Sequence, residues 1–277
     1  FSAAENQTAI GLVVVSDVDE DVITFSVSGS ELEITSAGVL SFSSAPDYEA
    51  TTSFTATITA ADGINSSTQD ITVNVTDVDD VAPVITSSAT FTAAENQTAI
   101  GTVTATDVDS SSIAFSVSGE GLSMSSSGVL TFSTAPDFET QSSYSGTITA
   151  TDGINSSTQN IVVSVSNVNE APVFTSSTLY DADENQTAIG TVTATDDDGD
   201  TIAYSISGTD SGSISINSSS GVLTFNSPPD YESQTSYSIV VAASDGTNTA
   251  TQDVTITIIN VNEAPTMSLT QLNNNEV

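Results

Sequence analysis

One heptapeptide, Glu-Asn-Gln-Thr-Ala-Ile-Gly, occurs three times in this chain at intervals of about 90 residues, beginning at Glu5, Glu95 and Glu184. Shorter motifs, Pro-Asp-Tyr/Phe-Glu and Asp-Gly, recur with the same spacing. A period this long is typical of tandem domains that each enclose a core, whereas solenoid units are shorter and share one. The predicted domains are residues 1–81, 82–170 and 171–263, here named the first, second and third repeats, and residues 264–277 are the start of a further repeat or a tail.

Apolar and polar residues alternate through every repeat. In the third repeat, Ile202, Tyr204 and Ile206 alternate with polar residues, and Val254 and Ile256 do the same near its end. Period two is typical of strands with one buried and one solvated face. Short strands broken by Gly, Ser, Asn and Asp, without any helical period, predict an all-β fold. About 90 residues and roughly seven strands predict tandem Ig-like seven-stranded antiparallel β-sandwiches joined end to end.

The chain carries a formal charge of −36, since its 277 residues include 36 Asp and Glu but no Lys, Arg or His. Nucleic acid and anionic membrane surfaces would repel it, so neither is an expected partner. High charge with few aromatics can signal disorder, but the apolar residues here are periodic. No stretch approaches the roughly 20 apolar residues of a membrane span. The sequence starts inside a repeat, which we take as a sign of a fragment.

The residue types that this chain lacks argue against catalysis. His, Lys, Arg and Cys are all absent, which removes the usual general bases, the thiol nucleophile and the cations that hold phosphate or an oxyanion. A carboxylate pair for glycoside hydrolysis is formally possible. However, the acids recur in every repeat, whereas an active site would be unique. We expect no enzyme, no catalytic residue and no organic cofactor.

The acidic side chains gather where one repeat ends and the next begins. The first linker reads Asp-Val-Asp-Asp-Val-Ala-Pro from Asp77, and Asn-Val-Asn-Glu-Ala-Pro follows from Asn167 and from Asn260. Calcium takes six to eight oxygen ligands from carboxylates, amides, carbonyls and water. Two carboxylates 4 Å apart repel by roughly 4 kcal/mol at an effective dielectric constant of about 20. We therefore predict calcium-bound junctions that would push themselves open without a cation.

In order and spacing these motifs resemble the cadherin repeat, in the divergent form found in large bacterial surface proteins, over nearly the whole chain. In cadherins an early Glu, an Asp-x-Glu, an acidic linker ending in Pro, and the next domain's Asp-x-Asp and Ala-x-Asp-x-Gly share calcium ions. The resemblance implies these ligands at the first junction: Glu5, Asp47, Glu49, Asp77, Asp79, Asp80, Asp107, Asp109 and Asp152.

The resemblance implies unequal junctions. The second would use Glu95, Asp137, Glu139, Asn167, Asn169, Glu170, Asp196, Asp198 and Asp245. Two linker Asp positions are Asn there, and the counterpart of Val81 is missing. We therefore expect this junction to bind fewer calcium ions or to bind them more weakly. A third set lacks its partner domain within the sequence: Glu184, Asp230, Glu232, Asn260, Asn262 and Glu263. Asp17, Asp19 and Asp62 similarly face a preceding domain outside it.

Some of these residues have simpler interpretations. The Asp-Gly pairs at Asp62, Asp152 and Asp245 could be turns, which is compatible with metal binding. Asp17 and Asp19 could form a solvated strand end. The aromatic residue of each Pro-Asp-Tyr/Phe-Glu motif fits a core position: Tyr48, Phe138 and Tyr231.

The leading functional hypothesis is an extracellular or cell-surface structural and adhesive segment, a calcium-rigidified stalk that could belong to a surface fibre. Its expected partners are calcium ions, neighbouring repeats and other copies of itself. The alternative is that the repeats recognise a partner themselves, through self-association into a filament or through sugar binding. The absence of Trp counts against sugar, while association through sheet edges stays open.

Overall fold

The computed structural model describes residues 1–110 and 112–267. The described residues confirm the all-β prediction: they form β-strands throughout, with a single 3₁₀ turn at Ser211–Ser213 and no α-helix. No helix among them is long and apolar enough to cross a membrane. The chain divides into two compact units, Phe1–Ser166 and a second that starts at Asn167. Each unit is described by itself.

The first repeat is a sandwich of two sheets, ordered β1-β7-β6-β3 and β2-β5-β4. Its strands are β1 (Ser2–Ala4), β2 (Ala9–Leu12), β3 (Thr24–Val27), β4 (Leu32–Ile34), β5 (Val39–Phe42), β6 (Ser53–Ala61) and β7 (Ser66–Thr76).

The second repeat has the same two sheets, ordered β12-β15-β16-β9 and β10-β14-β13, and adds the short pair β11-β8. Its strands are β8 (Val84–Ile85), β9 (Thr90–Ala94), β10 (Ala99–Thr102), β11 (Ala105–Thr106), β12 (Ala114–Ser118), β13 (Leu122–Met124), β14 (Val129–Phe132), β15 (Ser143–Thr151) and β16 (Ser156–Ser166).

The third repeat has the same architecture as the second, with two sheets ordered β18-β25-β24-β21 and β19-β23-β22 and the short pair β17-β20. Its strands are β17 (Val173–Phe174), β18 (Leu179–Asp183), β19 (Ala188–Thr191), β20 (Ala194–Thr195), β21 (Ala203–Ser207), β22 (Ile214–Ile216), β23 (Val222–Phe225), β24 (Ser236–Ser244) and β25 (Thr249–Ile259). The 3₁₀ turn precedes β22.

Strand pairing is antiparallel, as predicted, with one parallel pair in each repeat. A strand near the start of each repeat runs parallel to the last strand: β1 with β7, β9 with β16 and β18 with β25. This pairing brings the start and the end of a repeat side by side. It therefore places the glutamate after β1 next to the linker after β7, which is the basis of the site described below.

Each repeat encloses its own core, because the alternating apolar residues of both sheets point inward. Leu40, Leu130 and Leu223 occupy equivalent positions and are fully buried, one in each core. Tyr48, Phe138 and Tyr231 pack against these cores, as the sequence predicts. The three cores support three folded repeats, while the exact boundaries between the repeats stay a prediction.

A glycine turn precedes β5 and its counterparts, and it holds the segment that follows β2, β10 and β19. The N–H of Val13 donates to the carbonyl of Gly38 at 2.8 Å. Gly38 has φ +80°, and a Cβ placed on it would lie 2.5 Å from the Val13 carbonyl oxygen. Gly128 and Gly221 repeat this arrangement. Any other residue would be strained here and would also collide with the neighbouring strand.

The first repeat differs from the others beside this turn. In the second repeat β8 pairs with β11, and Ile85 packs against the core. In the third, β17 pairs with β20 and Phe174 takes the same place. The described chain supplies no such strand to the first repeat. Val13 is therefore only partly buried, whereas Val103 and Val192 are fully buried.

The segment after the third repeat is described only as far as Met267, and residues 261–267 have no regular structure. The prediction that residues 264–277 begin a further repeat lies for the most part outside the described residues. The third repeat is longer than the others within the Gly/Ser-rich stretch that holds the 3₁₀ turn, which is a surface position where extra residues are tolerated.

Replacing Leu40 with Ala should destabilise the first repeat by about 2–5 kcal/mol, because it removes a fully buried side chain and leaves a cavity. Urea unfolding followed by circular dichroism would show the transition of this repeat at lower urea. Its neighbour Val39 is 47% exposed, so Val39→Ala is the control and should cost below about 1 kcal/mol. Equal losses would contradict the assigned strand register.

Candidate metal centre

Three glutamates are buried, one in each repeat, although no basic side chain exists to neutralise them. Glu5 is 3% exposed, Glu95 4% and Glu184 2%. They open the repeated heptapeptide directly after β1, β9 and β18. A buried carboxylate requires strong hydrogen bonds or a cation.

Glu5 ties two distant segments together with its two oxygens. Oε2 accepts the N–H of Tyr48 at 2.7 Å, and Oε1 accepts the N–H of Val78, in the linker, at 2.8 Å. Glu184 accepts the equivalent bonds from Tyr231 and Val261 at 3.0 and 2.8 Å. The glutamate thus fixes the start of the linker against the body of its own repeat.

A first group of acids surrounds Glu5. Glu5, Glu49 and Asp80 each present a carboxylate oxygen, and these oxygens lie within 4.8 Å of one another. Burial raises the pKa of Glu49, and the nearby charge of Glu5 raises it further. The side-chain amide of Asn6 donates to Asp80. Three carboxylates at this separation, without a basic partner, make a strongly negative site that suits a hard cation.

A second group joins the linker to the second repeat. The N–H groups of Asp80 and Val81 both donate to Oδ2 of Asp109, each at 2.9 Å. Asp79 Oδ1 accepts the amide of Asn155 at 3.2 Å. Asp152 Oδ1 lies in the same region and accepts the N–H groups of Ile154 and Asn155, each at 2.7 Å.

The electrostatics of this second group are unfavourable for the ionised forms. Burial raises the pKa of Asp79, and the charge of Asp152 raises it further. The contact between the carboxyl groups of Asp107 and Asp109 raises the pKa of Asp107 and lowers that of Asp109. In the described structure, Asp107 Oδ2, Asp109 Oδ1 and Asp152 Oδ2 are buried without a hydrogen-bond donor. These oxygens have the chemistry of ligands for a divalent cation.

The second compact unit has a related arrangement with one important change. Glu170 N–H donates to Asp198 Oδ2 at 2.9 Å, matching the bond from Asp80 to Asp109. At the position of Asp79, however, Asn169 donates its amide to Asp245 Oδ2 at 2.9 Å. Asp79 and Asp152 repel each other, whereas Asn169 and Asp245 form a hydrogen bond. The sequence predicted an oxygen ligand at Asn169; the structure directs the nitrogen of this side chain to the neighbouring acid, and the role of its oxygen as a calcium ligand stays a prediction.

The far end of the third repeat gathers acids in the same way as the far end of the first. Oxygens of Glu184, Asp230 and Glu232 lie within 4.8 Å of one another. Asn185 donates to Glu263 at 2.7 Å, and Asn260 donates to Glu232 at 3.0 Å. Six predicted residues belong to this end, and Asn262 is the one for which no such contact is described.

At the opposite end of the first repeat, Asp17 and Asp62 organise short loops. The N–H of Asp19 donates to Asp17 Oδ1 at 2.9 Å. The N–H groups of Asn65 and Ile64 donate to Asp62 Oδ1, and these bonds lower the pKa of Asp62. The alternative interpretation of Asp62-Gly63 as a turn is therefore confirmed, with Gly63 at φ +94°. Asp62 Oδ2 accepts the side-chain amide of Asn65 at 3.5 Å, and metal binding by Asp62 stays a prediction.

The remaining predicted ligands have local roles. Asp47, Asp137 and Asp230 accept N–H bonds from residues three further along, at 3.2, 3.0 and 3.1 Å; for Asp230 the acceptor is its backbone carbonyl, and Ser233 Oγ also donates to its carboxylate. Asp77 is exposed and belongs to neither group of acids. The residues predicted for the second junction fall in both units: Glu95, Asp137 and Glu139 in the first, and Asn167, Asn169, Glu170, Asp196, Asp198 and Asp245 in the second.

Sequence reasoning missed the asparagines that hold the acids in place. Asn6 and Asn185 contact linker acids, and Asn155 and Asn248 donate to the linker at Asp79 and Asn169. Asn6 and Asn185 also adopt φ of 60° and 64°, which Asn tolerates better than most residues. The signal was available, because an Asn follows every repeated Glu and lies three residues after every repeated Asp-Gly aspartate.

The chain is similar in sequence and fold to known cadherins. Residues 177–262 match the family model described as Cadherin domain. The protocadherin-like wing polarity protein stan of Drosophila melanogaster is 30% identical over 300 aligned residues, which cover 93% of this chain and 8% of that protein. This chain therefore spans less than a tenth of its curated relative.

Solved structures show the same fold. Mouse cadherin-23 EC22-24 has a TM-score of 0.56 at 23% identity, covering 94% of this chain and 95% of that one. The protocadherin GammaB4 extracellular domain has a TM-score of 0.53 at 25% identity, covering 94% of this chain and 48% of that one. The likeness at this identity concerns the fold and carries no ligand with it.

Replacing Glu5 with Ala should lower the free energy of unfolding by about 1–3 kcal/mol even in chelator, because the N–H groups of Tyr48 and Val78 lose their acceptor. Urea unfolding would measure the loss. Glu31→Ala removes an exposed charge from the same repeat and should stay within about 0.5 kcal/mol. An unchanged midpoint for Glu5→Ala would show that the glutamate has no structural role without metal.

Proposed function

We propose that this chain, whose residues 177–262 match the cadherin domain model and whose fold is that of cadherin ectodomains, is an extracellular or cell-surface structural and adhesive stalk segment stiffened by calcium. The bacterial surface-protein type implied by the sequence stays a prediction. Adhesion proteins of this family are not enzymes, and we extend that property to this chain. The proposed ligands at the first junction are the nine residues implied by the resemblance to cadherin repeats.

One observation carries the proposal: buried carboxylate oxygens without donors, at Asp107, Asp109 and Asp152, beside a linker acid whose ionisation is disfavoured. Burying several carboxylate oxygens that face neither a base nor a donor is costly. Calcium fits better than a transition metal because every available ligand atom is an oxygen. Its charge would remove the repulsion, and the same oxygens would then favour the folded arrangement.

The linker itself explains why binding would stiffen the chain. Asp80 contributes its carboxylate to the group around Glu5, which belongs to the first repeat. Asp79, its neighbour, lies with the acids of the second repeat. Cations held by both groups would fix consecutive linker residues to different repeats. Ligand binding would then favour a single arrangement of the two repeats over many.

Small-angle X-ray scattering with calcium and then with excess chelator tests this directly. With calcium we expect a long particle with little flexibility, and on chelation a shorter maximum dimension and a flexible profile. The double variant Asp107→Asn/Asp152→Asn should resemble the chelated protein even with calcium, since it removes two of the proposed ligand charges.

The control for that variant is Asp70→Asn. Asp70 accepts the hydroxyl of Thr57 on an exposed sheet face, and the equivalent residue of the second repeat is already Asn160, which accepts from Thr147. This substitution also removes a negative charge and should leave the response to calcium intact. A wild-type profile indifferent to calcium would refute the proposal and leave the acids as solvated strand ends.

Asn169 makes the predicted inequality of the junctions testable. Its hydrogen bond to Asp245 satisfies that acid without a cation, so the local need for calcium is smaller. Asn169→Asp would restore the repulsion found between Asp79 and Asp152, and we expect calcium to bind on the order of tenfold more tightly, about 1.4 kcal/mol. Isothermal titration would measure the change.

The matched control is Asn160→Asp, the same substitution on a sheet face where the first repeat naturally carries Asp70. It should leave calcium affinity unchanged. Equal affinity of the two wild-type junctions, or no gain from Asn169→Asp, would contradict the assignment of Asn169 as the weakening residue.

A further inference from the structure

The two linkers, residues 77–81 and 167–170, are held on the repeats that follow them by different chemistry. In the first, burial and the charge of Asp152 both raise the pKa of Asp79. In the described structure, Asp152 Oδ2 is buried without a donor. The amide of Asn155 donates to the carbonyl and the carboxylate of Asp79 at 3.3 and 3.2 Å. One amide therefore opposes the repulsion between two acids.

In the second linker the equivalent contacts contain one acid instead of two. Asn169 donates its amide to Asp245 Oδ2 at 2.9 Å, the oxygen equivalent to the one without a donor in Asp152. Asn248, the counterpart of Asn155, donates to the carbonyl of Asn169 at 2.8 Å. We call these two contacts, which lie within the second compact unit, the amide bridge. The amide bridge holds the linker with no charge at position 169.

The amide bridge favours the ionised form of the acid that it contacts. Burial raises the pKa of Asp245, but hydrogen bonds from Thr247, Asn169 and Asn248 lower it by more than burial raises it. At Asp79 the balance is reversed, and the pKa is raised. A carboxylate that is stabilised by hydrogen bonds needs no cation to remain ionised in place.

The other acids near the second linker do not cancel this difference. Asp197 and Asp200 add charge to the loop after β20, but both are exposed, so water and salt screen them. In the described structure, Asp196 Oδ2 is buried without a donor, whereas the second repeat has the three such carboxylate oxygens noted above. The unfavourable charge is therefore smaller where the second linker contacts the third repeat.

We propose that the amide bridge holds the second linker on the third repeat without calcium, whereas the hold of the first linker on the second repeat requires a cation to neutralise its acids. Asn169 and Asn248 are then positioning residues that decide which linker responds to calcium. The calcium dependence of the first linker rests on the proposed function, whereas the amide bridge does not. Removal of calcium would release the first linker from the repeat after it and leave the second linker attached.

Amide hydrogen exchange of the full chain, measured by NMR with calcium and then with excess chelator, tests this at single residues. The N–H groups of Asp80 and Glu170 report on the two linkers, because they donate to Asp109 and Asp198, each at 2.9 Å. On chelation we expect exchange at Asp80 to become at least about tenfold faster, equivalent to about 1.4 kcal/mol. Exchange at Glu170 should change by less than about threefold.

Exchanging the two linker residues should exchange the two behaviours. Asp79→Asn supplies an amide to Asp152, so exchange at Asp80 should stay slow in chelator. Asn169→Asp removes half of the amide bridge and adds a like charge beside an acid. Exchange at Glu170 should then become about tenfold faster in chelator than in the wild type.

Asn248→Ala tests the other half of the amide bridge. It removes the donor to the linker but keeps the N–H that bonds to Asp245, and it should also speed exchange at Glu170 in chelator. The controls are Asp70→Asn and Asn160→Asp on exposed sheet faces, which should leave both linkers as in the wild type. Slow exchange within β15, β16, β24 and β25 would show that each variant remains folded.

The two proposals fail separately. If exchange at Glu170 speeds up on chelation as much as at Asp80, or if neither Asn169→Asp nor Asn248→Ala accelerates it, the amide bridge is wrong. Calcium-dependent scattering would then leave the stalk function standing. If scattering and exchange at Asp80 are both indifferent to calcium, the calcium-stiffened stalk is wrong, and acceleration by the two variants in chelator would still support the amide bridge.

Discussion

Repulsion among uncompensated acids is the constraint on which this structure depends. With 36 acids and no basic side chain, every carboxylate must be solvated, hydrogen-bonded or neutralised from outside. Most acids lie exposed. The exceptions cluster at the ends of the repeats, where Glu5, Glu95 and Glu184 are buried. The fold therefore concentrates its electrostatic cost at the linkers, which are the places where a bound cation changes the relation between neighbouring repeats.

The parallel pairing of the first and last strands of a repeat positions the linker to respond to a bound cation. It brings Glu5 beside the chain that leaves β7, and the carboxylate accepts N–H groups from both Tyr48 and Val78. These bonds already hold the linker start without metal. The remaining acids, Asp79 and Asp80, then project toward two different groups from a fixed base. A cation would act on a linker that is half ordered, which lowers the entropy that binding must overcome.

The fold could be predicted well because it depends on the two-residue period of the apolar residues and on the spacing of the repeated motifs. Alternation placed Leu40 and its two counterparts in the cores, and the recurrence of motifs gave the repeats. The residues of the candidate site could be predicted from the sequence, but the contacts between them could not. Nothing in the sequence distinguishes Asn169 as an oxygen ligand from Asn169 as a donor to Asp245. That choice depends on which amide atom faces the acid in three dimensions.

The three repeats differ more at their linkers than in their cores. Leu40, Leu130 and Leu223 are fully buried at equivalent core positions. At the linkers, Asp79 faces an acid, whereas Asn169 donates a hydrogen bond to one. This difference alters the contacts of a linker without touching the packed interior. A substitution at such a position would therefore change the charge of a junction while leaving the packing of each repeat intact.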